Sequence, residues 1–199
     1  MGIVIGLTGG IGSGRSAASA WFEQQGINVV DADVVAREIV DGGQPALAQI
    51  RDHFGDWALT PQGELNRKAL REHIFQYPEA RLALNNITHP LIRQAIIQQL
   101  AATSSSYCIL VSPLLFETGQ HQLAKRTLLI DASEELQILR ATQRDDQSTE
   151  QIKQIIQAQM PRHKKQALAD DIVINDGDLN HLYQQLWPLH QYYLGMSST

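Results

Sequence analysis

The sequence predicts a doubly wound α/β fold, in which helices cover both faces of a five-stranded parallel β-sheet. Two observations lead to this prediction. Five short runs are apolar throughout instead of alternating between apolar and polar residues, which is typical of strands buried on both faces of a parallel sheet. Helical patterns of apolar residues follow several of these runs, and such alternation favours a parallel sheet with right-handed crossovers.

The predicted strands and helices can be placed along the chain in order. The five apolar runs that we interpret as strands are residues 3–7, 27–30, 109–111, 128–130 and 172–174. Apolar residues recur at helical spacing in two of the segments between them, residues 16–25 and 133–143. The first strand therefore leads through a glycine-rich segment into the first helix.

Two longer segments interrupt the alternation of strands and helices. Residues 45–104 show no strand pattern, and their apolar residues recur at helical spacing, so we predict a helical insertion there. Residues 143–166 are polar and rich in Lys and Arg around another helical pattern, and we predict that they form a mobile lid. We expect one domain over residues 1–199, whose core consists of residues 1–44, 105–142 and 167–199.

The composition and charge of the chain argue against several kinds of binding partner and against a disulfide. The net charge of −5 provides no overall basic field, which argues against nucleic acid or an anionic membrane as a partner. Cys108 is the only cysteine, so no intramolecular disulfide can form, and its apolar surroundings predict a buried position. The first residues do not resemble a signal peptide, and no apolar run is long enough for a membrane-spanning helix. We expect a cytoplasmic protein that is a monomer or a weak homo-oligomer.

A glycine-rich loop after the first predicted strand is the strongest functional signal. Small residues allow several backbone N–H groups to point at one phosphate, and the following helix adds its positive N-terminal end. The spacing matches the phosphate-binding pattern G-x-x-x-x-G-K-[ST], except that the expected Lys is Arg15. The Ser16 hydroxyl is placed to bind Mg²⁺ on the β- and γ-phosphates, which favours a kinase. The residues predicted to bind the nucleotide here are Gly9, Gly10, Ile11, Gly12, Ser13, Gly14, Arg15, Ser16 and Ala17.

Two other interpretations of the loop remain open at this point. The glycines could form a turn without a ligand. The loop could also belong to a dinucleotide site of the pattern G-x-G-x-x-G/A, read from Gly10, where the third small residue falls on Arg15, or from Gly12. Asp31 or Asp33 would then contact the ribose.

The carboxylates Asp31 and Asp33 follow the second predicted strand. In an extended chain they point to the same side, and we expect this strand to lie near the first, close to the phosphates. A carboxylate there can accept the proton of a substrate hydroxyl that attacks the γ-phosphate. Asp33 is equally well placed to cap a helix over residues 34–40. The residues alone leave both roles open.

Further motifs extend over nearly the whole chain. Together with the loop they are residues 6–14 (GLTGGIGSG), 30–33 (VDAD), 63–67 (GELNR), 88–93 (THPLIR), 113–117 (PLLFE), 143–145 (QRD) and 169–175 (ADDIVIN). In this order they resemble the dephospho-coenzyme A kinase family. The resemblance implies a sheet of the P-loop kinase type with a helical substrate-binding insertion and a lid. It also implies transfer of the γ-phosphate of ATP, with Mg²⁺, to the ribose 3′-hydroxyl of dephospho-CoA, which gives CoA and ADP in the last step of CoA biosynthesis.

The resemblance implies roles for individual residues as well. Asp33 would be the base for the 3′-hydroxyl or would orient it, and Arg15 and Arg144 would stabilise charge in the transition state. Arg140 lies one helical turn before Arg144, and both it and Asn175 would contact ATP. Residues implied to contact the substrate besides Asp33 are Arg67, His89, Leu115 and Glu117, although Arg67 is also a typical solvent-exposed residue and Leu115 a typical core residue.

The chain departs from the family at three positions: Arg15, Ala17 and Lys165 stand where members tend to carry Lys, Thr and Arg. Guanidinium is planar and wider than an ammonium group, so we expect Arg15 to preserve nucleotide binding better than turnover. The alternatives to the kinase are a catalytically impaired nucleotide- or CoA-binding protein and a kinase of another small hydroxylated substrate.

Overall fold

The computed structural model describes residues 2–199 in two compact units. The first unit contains the chain up to Asp31 together with Leu100–Thr199, and the second is Ala32–Gln99. This division into two units does not test the predicted division into core, insertion and lid, which stays a prediction. None of the helices formed by residues 2–199 is long and apolar enough to cross a membrane.

The first unit is built on a parallel sheet. The strands are β1 (Ile3–Thr8), β2 (Asn28–Asp31), β3 (Tyr107–Val111), β4 (Arg126–Asp131) and β5 (Asp171–Ile174), and their order in the sheet is β2-β3-β1-β4-β5. All four pairings are parallel. The predicted fold class is therefore confirmed.

The helices complete the architecture. Within residues 2–199 they are α1 (Arg15–Gln24), α2 (Ala32–Glu38), α3 (Pro45–Phe54), α4 (Arg67–Gln76), α5 (Pro78–Ala101), α6 (Glu134–Asp145), α7 (Thr149–Ala158), α8 (Arg162–Leu168) and α9 (Leu179–Ser197). Helices α1 and α9 bury their apolar faces on one face of the sheet. Phe22 of α1 and Leu186 of α9 are fully buried there, and Cys108 is a buried free thiol, as predicted.

Strand β2 was expected to lie near β1. It pairs only with β3, at the edge of the sheet, and β3 lies between it and β1. Every residue of β3 is buried, which suits an interior strand with a neighbour on each side. Asp31 is in register with Val111, and Val111 with Leu7, so two strand spacings, about 10 Å, separate Asp31 from the end of β1.

The second unit is helical and has its own core. Helices α2 to α4 and most of α5 belong to it, and Leu47, Ile50 and Leu70 lie in its buried cluster. The region predicted to be free of strands holds one isolated β-bridge, between Leu59 and Leu65. Helix α4 begins after Asn66 because that side chain accepts a hydrogen bond from the backbone N–H of Ala69.

Candidate active site

The glycine loop connects the C-terminal end of the central strand β1 to the first turn of α1. Gly12 and Gly14 have φ angles of 71° and 98°, in the left-handed region that disfavours other residues. A Cβ atom on Gly12 would collide with the backbone oxygen of Gln137, and one on Gly14 would collide with the side-chain amide of Asn175. The backbone of the loop can follow this path only with glycine at both positions. The path places the N-terminus of α1 at the loop.

Side chains from α6 and from the end of β5 hold the loop carbonyls. Asn175 donates from Nδ2 to the Ser13 oxygen at 2.8 Å, and Arg140 donates from Nη2 to the Asn175 oxygen at 2.7 Å. Gln137 donates from Nε2 to the Ile11 oxygen at 2.9 Å. Arg140 and Asn175 were predicted to contact the nucleotide, and that stays a prediction; in the structure both donate hydrogen bonds to carbonyl oxygens of the loop. Gln137 was not identified from the sequence, because a glutamine in an amphipathic helix carries no distinguishing signal.

A cavity of about 230 Å³ opens over the loop. It brings six of the nine predicted loop residues together with Arg144. Helix α6 continues to Asp145 and so carries Arg140 and Arg144 one turn apart. The Arg144 guanidinium forms two hydrogen bonds to Asp145, at 2.7 and 2.8 Å, and this carboxylate raises the pKa of Arg144. The residues that line the cavity are Gly10, Ile11, Gly12, Gly14, Arg15, Ser16, Arg144, Ile155 and Gln159.

The residues around the loop glycines have different environments. Arg15 turns back along the loop and donates from Nη1 to the Gly9 oxygen. Ser16 is exposed on the cavity wall, where its hydroxyl is accessible to a ligand. Ala17 packs against the apolar core behind the loop. Gly9 lies so close to Ser13 that a Cβ atom there would collide with the serine hydroxyl.

An ion pair with a buried carboxylate lies at the C-terminal end of β4, next to β1. Asp131 is 4% exposed, and Arg162 of α8 binds both of its carboxylate oxygens at 2.8 and 2.9 Å. Gln166 adds a hydrogen bond at 2.8 Å. Burial acts to raise the pKa of the Asp131 carboxyl, but these hydrogen bonds outweigh it and hold the pKa below its ordinary value. This pair was not identified from the sequence, although an acid at the end of an apolar strand was an available signal.

The carboxylates Asp31 and Asp33 do not share one side of an extended chain. Asp31 ends β2, and the next residue, Ala32, already begins α2. The expectation of a common side was therefore wrong, as was a cap for a helix over residues 34–40, because α2 begins earlier. Asp33 is exposed in the first turn of α2, where the helix dipole favours a carboxylate.

The remaining residues predicted to contact the substrate are in different environments. Leu115 is fully buried and packs beneath Gly6 of β1, which supports a packing role. Glu117 is exposed and accepts a hydrogen bond from the backbone N–H of Met160 at 3.3 Å. In the second unit, Arg67 is exposed at the start of α4 and His89 is exposed within α5. Their contacts with a substrate remain predictions.

Sheet order and loop define the class of protein. Dinucleotide-binding sheets have β2 beside β1, whereas β3 occupies that place here, so the dinucleotide interpretation of the loop is wrong. A phosphate-cradling loop between β1 and α1, followed by an exposed Ser16, is the arrangement of a P-loop kinase. The dephospho-CoA kinase family model matches residues 3–181, and the chain belongs to this family.

Individual relatives agree with this assignment. The chain is 69% identical over 191 residues to the dephospho-CoA kinase of Acinetobacter baylyi, which covers 96% of the chain and 98% of that protein. The fold of the chain is similar to the crystal structure of TT1252 from Thermus thermophilus, with a TM-score of 0.82 and 31% identity. The match covers 96% of this chain and 97% of that one. It is also similar to the dephospho-CoA kinase from Campylobacter jejuni, with a TM-score of 0.72, 28% identity and coverage of 94% and 95%. None of these relatives supports the alternative of a non-catalytic binding protein.

Proposed function

We propose that this protein transfers the γ-phosphate of ATP to the ribose 3′-hydroxyl of dephospho-CoA, giving CoA and ADP. The observation that supports this most strongly is the loop cavity, which is lined by the glycine loop, the first turn of α1 and Arg144 in a chain of the dephospho-CoA kinase family. In the reaction the 3′-oxygen forms a bond to phosphorus, the bond from phosphorus to the β,γ-bridging oxygen breaks, and the hydroxyl proton leaves.

The ATP phosphates would bind to the loop. Its N–H groups and the first turn of α1 supply fixed donors and a partial positive charge, so no solvent has to reorganise as charge develops. Arg144 also lines the cavity, and its guanidinium can exchange Asp145 for a phosphate. These groups account for binding and for stabilisation of charge.

Mg²⁺ is expected at Ser16. The exposed hydroxyl on the cavity wall fits an ion that takes most of its ligands from phosphate oxygens and water. Bound there, Mg²⁺ would neutralise charge on the β- and γ-phosphates. Ser16 would hold the ion close to the N-terminus of α1.

Asp33 would orient the 3′-hydroxyl and accept its proton. Its carboxylate is exposed, and it lies two residues beyond the C-terminal end of β2, the sheet edge at which ligands of parallel α/β proteins bind. Asp33→Asn should leave the dissociation constant for ATP unchanged and reduce turnover by about 100-fold or more. Asp31→Asn is the matched control. Equal loss of ATP binding and turnover in Asp33→Asn would indicate that Asp33 has a structural role instead.

The proposed reaction is tested by coupled ADP release with ATP, Mg²⁺ and dephospho-CoA. CoA is the matched control acceptor, because its 3′-oxygen already carries a phosphate. We expect ADP release with dephospho-CoA only. ADP release at the same rate with CoA or without an acceptor would refute the proposal, and turnover with a different hydroxylated acceptor alone would identify another small-molecule kinase.

A further inference from the structure

We propose that Lys165 supplies the ammonium group that binds the terminal phosphates of ATP in this protein, in place of the lysine that is absent at position 15. The inference rests on the proposed kinase function, because it concerns the same nucleotide. Lysine in the usual phosphate-binding loop reaches the β- and γ-phosphates from the first turn of the helix. Here an ammonium group approaches the loop from α8 instead.

Lys165 is close to the loop and almost completely buried. Its relative exposure is 6%, although lysine is rarely buried without a direct partner. A Cβ atom placed on Gly10 would lie 3.3 Å from the Lys165 Nζ atom and 3.2 Å from the Gln159 Oε1 atom. The ammonium group therefore lies beside the second residue of the phosphate-binding loop.

This ammonium group lacks a direct anionic partner in the part of the chain that the structure describes. Across residues 2–199 no carboxylate lies within 4.0 Å of Nζ and no side-chain hydrogen bond involves it. Glu117 and Asp131 act on it only over longer distances, and each already binds another group. Burial lowers the pKa of Lys165. The side chain lines a cavity together with Gln159 and Arg162, so an anion can reach its ammonium group, and binding would stabilise a cation that has no direct partner.

The surroundings indicate where that anion would lie. Arg15 is close enough to Lys165 to lower its pKa further, so two cations face one region beside the loop. The Ile11 N–H, a donor that a phosphate oxygen would use, instead donates to the Gln159 Oε1 atom at 3.3 Å. A neutral amide oxygen thus occupies the position expected for phosphate. A polyphosphate would replace it and would neutralise the Lys165 ammonium group.

The test is direct binding of ATP, ADP and AMP by calorimetry. Lys165→Met should weaken ATP and ADP binding by about tenfold or more, since a charge-assisted contact is lost, and should change AMP binding less than threefold. Lys164→Met is the matched control, because Lys164 is exposed on the same helix, and it should bind all three as the unmodified chain does. Lys165→Arg, which keeps the charge, should retain most of the affinity for ATP.

Two further measurements separate ligand binding from a structural role. The melting temperature of Lys165→Met without nucleotide should equal or exceed that of the unmodified chain, because the ammonium group makes no direct ion pair or hydrogen bond that the substitution would remove. Adding Arg15→Lys should restore part of the ATP affinity. Unchanged ATP affinity in Lys165→Met would overturn the inference, and so would a lowered melting temperature with equal losses for ATP and AMP. Failure of the unmodified chain to bind ATP would instead refute the proposed kinase function.

Discussion

Replacement of Gly14 by alanine tests the geometry on which the loop depends. Gly14 has a φ angle of 98° directly before α1, and a Cβ atom there would collide with the Nδ2 atom of Asn175. That amide donates to the backbone oxygen of Ser13 and so holds the loop closed. Gly14→Ala therefore combines backbone strain with the displacement of Asn175.

The two contributions can be estimated separately. Alanine in the left-handed region costs about 1–2 kcal/mol, reduced to roughly 1 kcal/mol by the lower entropy of the unfolded chain. Displacing Asn175 leaves the Ser13 oxygen without its partner, which costs about 1–3 kcal/mol. The total is about 2–4 kcal/mol, and for a chain of this length each kcal/mol lowers the melting temperature by about 2–4 °C.

Gly26→Ala is the matched control. Gly26 has a φ angle of 82°, but a Cβ atom there meets nothing within 4 Å, so only the backbone strain applies. It should lower the free energy of unfolding by about 1 kcal/mol and leave ATP affinity unchanged. Denaturant unfolding of both variants gives the comparison, and ATP titration of each shows whether the loop is still formed.

The difference in stability between the two variants shows whether Asn175 holds the loop. Gly14→Ala should be less stable than Gly26→Ala by about 1–3 kcal/mol and should bind ATP at least tenfold more weakly than the unmodified chain. Equal stabilities would show that Asn175 does not hold the loop. Unchanged ATP affinity in Gly14→Ala would show that the loop conformation is not required for the nucleotide.

Other predictions concern the loop cation, the ion pair behind the loop and a buried histidine. Arg15→Lys should raise turnover by about tenfold with less than a threefold change in ATP affinity, because the compact ammonium group follows the γ-phosphate more closely; equal turnover in the coupled assay would contradict this. The pKa of Asp131 is lower in the folded than in the unfolded chain, so its stabilisation is present above about pH 4 and is lost as pH falls through the folded pKa. Asp131→Asn should therefore be about 1–2 kcal/mol less stable in denaturant at pH 7, a value reduced because Arg162 is half exposed, and equally stable near pH 2. Burial also lowers the pKa of His190, so its contribution to stability should decline as pH falls below about 6.5, and unfolding curves of His190→Asn should lack that decline.

Local patterns were sufficient for the elements of the fold. The apolar runs became strands β1 to β5, and the glycine-rich segment became the loop between β1 and α1. The order of strands was not accessible in the same way. Either β2 or β3 could lie beside β1, with the other strand at the edge of the sheet. Packing of the whole sheet decides which of them takes the interior position.

In the candidate site, too, local patterns predicted some residues and tertiary contacts decided the others. Spacing alone located Gly9 to Ser16 and brought Arg144 to the same helical face as Arg140. The neighbours of these residues were missed, because Gln137, which donates to the loop, and Lys165, which lies beside it, are more than a hundred residues away along the chain.

The sequence by itself determined the parallel α/β class, the phosphate-binding loop and the likeness to one kinase family, since each depends on residues close together in the chain. Only the tertiary structure decided that Asn175 and Arg140 donate to loop carbonyls, that Asp33 lies in a helical turn, and that the ammonium group of the mostly buried Lys165 lies beside Gly10. These features depend on contacts between distant segments and on the cost of burying charge, and neither quantity is contained in local sequence.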